Sequence, residues 1–202
     1  MEALLQAMSE KGFSHTSLTD LARRAGMSPG HLLYYFRDKD AVLTELSKQI
    51  NDQTLDFMGE LADKPPHDQF RDLVGFFFNR RNVPPSFRSV LLQLLGVATH
   101  DPELLDRMKR QARRFKTFLK QAYSKSHRPK AMTVDDAATA AAAIWMGLLI
   151  NSLFDPTLTT PRAGRLMLKL LLLLGGFEGD APFEPDSPLD HQPLSRRRSR
   201  TR

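Results

Sequence analysis

The chain has no cysteine among its 202 residues, so neither a disulfide framework nor a thiolate metal site is open to it. That absence fits a reducing compartment. Its histidines (His15, His31, His67, His100, His127 and His191) never fall in the H-x-x-x-H spacing that brings two imidazoles to one helix face. No metal and no cofactor is therefore expected. There is no Walker loop, dinucleotide-binding glycine pattern or nucleophile elbow. Asp135 and Asp136 stand at a predicted helix start, where carboxylates favour the helix dipole, and need no acid–base role. No enzyme is expected. The opening EALLQAMSEK is amphipathic, with Glu2 and Glu10, and lacks the charged-then-apolar order of a signal peptide. The longest apolar runs, AAAAIWMGLLI and LMLKLLLLL, are too short to span a bilayer, and Lys169 interrupts the second. These absences together point to a cytoplasmic protein with no membrane partner.

What is present suits a helical protein. Hydrophobic residues make up 41% of the chain, enough for a core. The formal net charge is +6, compatible with nucleic acid but a poor discriminator, because the tail SRRRSRTR carries much of the excess. The pattern predicts nine helices and no strands: 2–11, 18–25, 29–35, 39–62, 67–80, 86–99, 102–125, 134–154 and 161–175. In the fourth, Val42, Leu43, Leu46, Ile50, Leu55, Met58 and Leu61 recur at helical spacing before KPP stops it. Asp101 with Pro102, and Thr133 with Asp136, are helix-start signals. Residues 179–202 are rich in Pro, Asp, Ser and Arg and read as a disordered basic tail.

The stretch SLTDLARRAGMSPGHLLYYFRDKD, residues 17–40, carries the function. Ser17 and Asp20 form a capping box for a first short helix, whose apolar face is Leu18, Leu21, Ala22 and Ala25. Gly26 permits the left-handed conformation that ends it. Ser28 caps a second helix, with Pro29 at its first position, where a missing N–H costs nothing. Two short helices on a tight turn, running into a long third, are the layout of a helix-turn-helix.

Residues 12–43 resemble the DNA-binding domain of the TetR family of one-component regulators. The resemblance rests on Gly12 and Phe13, Thr16, the L-A-x-x-A-G core, Ser28, Gly30 and the closing Y-F-x-x-K-D-x-x-L. S-P-G-H-x-L-Y-Y-F and the later D-P-E-L are similar to the branch that includes choline-responsive repressors. The chain departs from the family at Leu33, where a Tyr that often contacts phosphate is common, and in its short first helix. The resemblance implies an all-α, TetR-like fold. A three-helix head at 1–45 would bind DNA, and a body at 46–178 would bind ligand and dimerise. The implied function is a ligand-responsive regulator, most simply a repressor. It would hold a palindromic operator as a homodimer until a small-molecule effector releases it. The alternative is a helical protein-interaction module that has lost DNA binding.

Candidate DNA-binding residues are Thr16, Ser17, Thr19, Ser28, Pro29, Gly30, His31, Tyr34, Tyr35 and Lys39. Hydroxyls and a lysine suit phosphate oxygens, His31 can reach a base edge or a phosphate, and Gly30 lets backbone approach the duplex. Candidates for an effector pocket are Met58, Phe77, Phe78, Leu94, Met108, Phe118, Trp145 and Asn151. Trp145 near Phe residues could stack on a cation. The last two helices carry more apolar surface than one amphipathic helix needs. Ala140, Ala141, Ile144, Gly147, Leu148, Met167, Leu170, Leu171 and Leu174 are the candidate dimer interface.

Overall fold

The computed structural model describes residues 15–78, 86–126 and 132–177. The predicted helix at 2–11, the residues Gly12 and Phe13, and the tail at 179–202 lie outside them. Among the described residues there are eight helices and no strand. They are α1 (Leu18–Arg24), α2 (Pro29–Tyr35), α3 (Lys39–Leu61), α4 (Pro66–Phe78), α5 (Ser86–Ala98), α6 (Pro102–Ser124), α7 (Val134–Phe154) and α8 (Thr160–Gly175).

Local chemistry sets most helix ends. Thr133 and Asp136 close a reciprocal capping box on α7. Asp101 Oδ1 accepts the backbone N–H groups of Glu103 and Leu104, both at 3.0 Å, and so starts α6. Asp38 does the same for α3 by accepting from Ala41 N–H at 2.7 Å. The cap of α8 is Thr159, whose hydroxyl accepts from Arg162 N–H. The link between α3 and α4 is pinned by buried Gln69, whose amide donates to the carbonyls of Ala62 (3.1 Å) and Lys64 (2.8 Å). Lys64 Nζ then pairs with the buried carboxylate of Asp72 at 2.6 Å.

The chain divides into two compact units, with the division inside α3 between Gln53 and Thr54. Among the described residues, the first unit holds α1, α2, the early turns of α3, α5 and the start of α6 to Arg107. The second holds the last turns of α3, α4, α6 from Met108, α7 and α8. Leu21, Ala22, Leu32, Val42, Leu43 and Leu46 are buried in the first. The second packs α8 against both α4 and α7. Its centre is Tyr123, whose ring lies 4.8 Å from that of Phe70 and whose hydroxyl donates to the Leu171 carbonyl at 3.1 Å. Burial pushes the Tyr123 phenol well above its ordinary range, so it stays a neutral donor. Tyr123→Phe should therefore lower unfolding stability by about 1 kcal/mol, read from denaturant midpoints at constant slope.

Helix α7 corrects one expectation. As a whole helix it is long and apolar enough, by length and composition, to cross a membrane. The run AAAAIWMGLLI understated it, because flanking Ala137, Ala138, Leu153 and Phe154 extend the apolar span. Its start is nevertheless polar: Lys116 and Lys120 of α6 reach Asp135 at 2.9 and 3.2 Å and hold that carboxyl below the usual carboxylate range. One face of α7 packs on α8, and only Ala137, Ala138, Ala141 and Leu149 are buried.

Candidate nucleic-acid interface

Helices α1 and α2 cross with a tight turn because the sequence between them can adopt one. Gly26 has φ of +69°, a conformation that glycine adopts without a Cβ penalty. Gly26 N–H donates to the Arg23 carbonyl at 3.2 Å, and Met27 N–H to that of Ala22 at 2.9 Å. This pair of bonds closes α1 as the sequence predicts. Ser28 Oγ then accepts from His31 N–H at 3.2 Å and opens α2 behind Pro29. Ala22, with no side chain beyond Cβ, is fully buried where the helices meet.

Helix α2 is anchored by one side chain. Leu32, 1% exposed, is its only buried residue. Tyr34 is 82% exposed and Tyr35 61% exposed, so neither packs inward. His31 and Tyr35 rings lie 5.4 Å apart, and Tyr34 meets Tyr35 edge-on at 5.1 Å. The three rings form one outward patch with two phenol hydroxyls and an imidazole at its surface. Exposing two tyrosines leaves apolar ring surface in water, which is unfavourable without a partner. Ser17, Thr19, Ser28, Pro29 and Gly30 are exposed as well, and Lys39 is half-buried. Thr16 differs: it is buried, so its hydroxyl is turned away from solvent. Leu33, at the position of the departure from the family pattern, is half exposed.

Among the described residues, no packing contact requires a glycine at position 30. A Cβ built there meets no atom within 4 Å. Glycine within a helix costs about 0.5–1 kcal/mol relative to alanine. Gly30→Ala should hold or slightly raise the melting temperature and still weaken binding to DNA. Unchanged DNA affinity would remove Gly30 from the contact surface.

The effector-pocket candidates scatter. Met58 and Phe118 line an open groove of about 430 Å³ between the last turns of α3 and the middle of α6. Phe77 and Phe78 are buried. The ring of Phe77 lies 4.9 Å from Trp145 and 6.2 Å from Phe115, and Phe115 lies 5.2 Å from Trp145. Rings packed that closely on one another leave no gap for a cation between them. Leu94 is buried in the first unit, apart from the other candidates. Met108 is half-buried, and Asn151 is exposed, which takes it out of any enclosed pocket. Sequence reasoning missed the groove's basic rim, Arg110, Arg113 and Arg114. Their i, i+3, i+4 spacing on one helix face was the available signal.

The dimer candidates divide by burial. Ala141, Met167 and Leu171 are consumed by the core of the single chain. Ala140, Ile144, Gly147, Leu148, Leu170 and Leu174 are only half-buried. Beside them Phe154, Leu166 and Leu173 are exposed. No group of His, Asp and Glu among the described residues could hold a metal ion.

Residues 1–46 match the family "Bacterial regulatory proteins, tetR family", and residues 66–173 match "BetI-type transcriptional repressor, C-terminal". The HTH-type transcriptional regulator BetI of Escherichia coli (strain SMS-3-5 / SECEC) is 27% identical over 158 residues, 75% of this chain and 79% of that protein. In the K12 strain the alignment spans 108 residues, 52% of this chain and 55% of the relative. A transcriptional regulator from Rhodococcus sp. Rha1 shares the fold, with a TM-score of 0.71 at 18% identity, over 86% of this chain and 92% of that one. A structure from Saccharomonospora viridis in complex with choline aligns at a TM-score of 0.67 and 18% identity, over 84% of this chain and 94% of that one.

Proposed function

Because the chain belongs to the TetR family of bacterial transcriptional regulators, with a BetI-type C-terminal region, we propose that it represses transcription by holding a palindromic operator as a homodimer. A small-molecule effector bound in the second unit releases it. The observation that carries this reading is the outward face of α2, where His31, Tyr34 and Tyr35 stand free of the chain's own core. A helix held by Leu32 alone can enter the major groove, with base edges and phosphates replacing the missing packing. Ser17, Thr19, Ser28, Pro29, Gly30 and Lys39 complete the contact surface. The site of action is the cytoplasm, where the DNA is.

The homodimer is supported by the uncovered apolar face of α7 and α8, centred on Ile144, Gly147, Leu148, Leu170 and Leu173. A Cβ on Gly147 meets nothing within 4 Å in the single chain, which leaves room for a second copy's helix to approach. Two-fold pairing presents two α2 helices to half-sites about 34 Å apart, one helical turn of DNA. An effector releases the operator only if it binds the non-binding conformation more tightly.

The test is binding of the purified protein to a fragment spanning its own upstream region, with non-specific competitor DNA, at 50 and 200 mM salt. Specific binding should weaken about 10³-fold or more across that range, as counterions released from several phosphates are recaptured. A folded dimer that binds no such fragment at low salt would favour a protein-interaction module instead.

A further inference from the structure

The groove between α3 and α6 lies wholly within the second unit. Its floor is apolar: Leu55, Met58, Ala62 and Phe118. Its rim carries Arg110, Arg113 and Arg114, all exposed. On the same helix, Lys116 and Lys120 are committed to Asp135, and Arg107 to Glu103. Among the described residues no carboxylate is paired with Arg110, Arg113 or Arg114. A smaller cavity of about 200 Å³ shares Ala62, Phe118 and Gln121 with the groove and adds Lys125. Gly59 also lines the groove, and a Cβ there would meet nothing within 4 Å. A glycine this close to a helix end is not required by the chain's packing, and its absent side chain keeps the groove open.

We propose that this groove takes a small anionic amphiphile, a carboxylate with an apolar body, as the regulator's effector. The inference rests on reading the chain as an effector-responsive regulator and supplies the chemistry of that effector. Guanidinium groups donate bidentately to a carboxylate, and the apolar floor buries the remainder of the molecule. A volume of about 430 Å³ is within the range of small-molecule sites. The same cluster repels a cation.

The experiment is calorimetric titration of the full chain at low salt with two probes of equal chain length, sodium decanoate and decyltrimethylammonium bromide, below their micelle concentrations. Decanoate should saturate and the ammonium probe should not. The double variant R113Q/R114Q should weaken decanoate about tenfold or more, since charge-assisted hydrogen bonds are lost. G59L should block it by filling the groove, which gives a second reading if the arginine variant folds poorly. No saturable decanoate binding up to the millimolar range overturns the proposal. So does equal or tighter binding of the ammonium probe, or unchanged affinity in both variants. Retention on anionic phosphatidylglycerol vesicles without saturable decanoate binding also overturns it, and would assign the arginines to a lipid surface. The upstream fragment is titrated separately with ligand-free protein. Failure there removes the regulator reading, whereas intact DNA binding with no decanoate binding removes only the effector chemistry.

Discussion

His31→Ala combined with Tyr34→Ala should weaken operator binding by about 10²-fold or more while leaving thermal unfolding unchanged. The size follows from the contacts. A hydrogen bond to a charged phosphate contributes roughly 1.5–3 kcal/mol, and a two-fold dimer loses every contact twice. The unchanged stability follows from exposure. Tyr34 is 82% exposed, so truncating it removes little buried area, and surface substitutions of this kind stay within about 0.5 kcal/mol. Two measurements check it: titration of the upstream fragment with each variant, and the melting temperature of each. The slope of affinity against salt should stay close to the wild-type value, because a neutral phenol at a phosphate releases no counterion. Wild-type affinity in both single variants would place α2 away from the duplex.

Leu173→Asp should convert the proposed homodimer to monomers without unfolding the chain, and with it abolish specific DNA binding. Leu173 is 66% exposed in the single chain, so its side chain contributes little to the monomer's own core. In a two-fold interface the same change falls on both copies. Burying two carboxylates in an apolar contact costs about 4 kcal/mol or more, roughly a 10³-fold rise in dissociation constant. Sedimentation at micromolar concentration reads the oligomeric state directly. Met167→Asp is the contrasting variant: Met167 is 1% exposed, so the change strikes the chain's own core and lowers its melting temperature. A dimer that survives Leu173→Asp would require another interface.

Much of the head was legible because its signals are local. The capping box of Ser17 and Asp20, the Ser28 and Pro29 start, and the left-handed Gly26 each depend on residues three or four apart. Such contacts follow from backbone geometry and need no knowledge of the rest of the chain. The bounds of α3, α6 and α7 were legible for the same reason, from apolar spacing and from Asp101 and Thr133. The proposed effector site was much less legible. Aromatic residues drew attention, yet Phe77 and Trp145 pack on one another, and Asn151 is exposed. An apolar residue carries the same sequence signal whether it fills a core or lines a void.

Local patterns were enough to set the helices of the described residues, most of their boundaries and the exposure of α2. Caps, turns and apolar periodicity act over one or two helical turns and are written where they act. Which apolar residues are used up inside one chain and which remain uncovered depends instead on long-range packing. Met167 and Leu171 go to the core, while Leu166 and Leu173 do not, although all four lie on the same helix. Long-range packing also decided that Gly59 of α3 and Arg113 of α6, more than fifty residues apart, line one groove. Those outcomes depend on how helices distant in the chain pack together, and no local pattern records that packing.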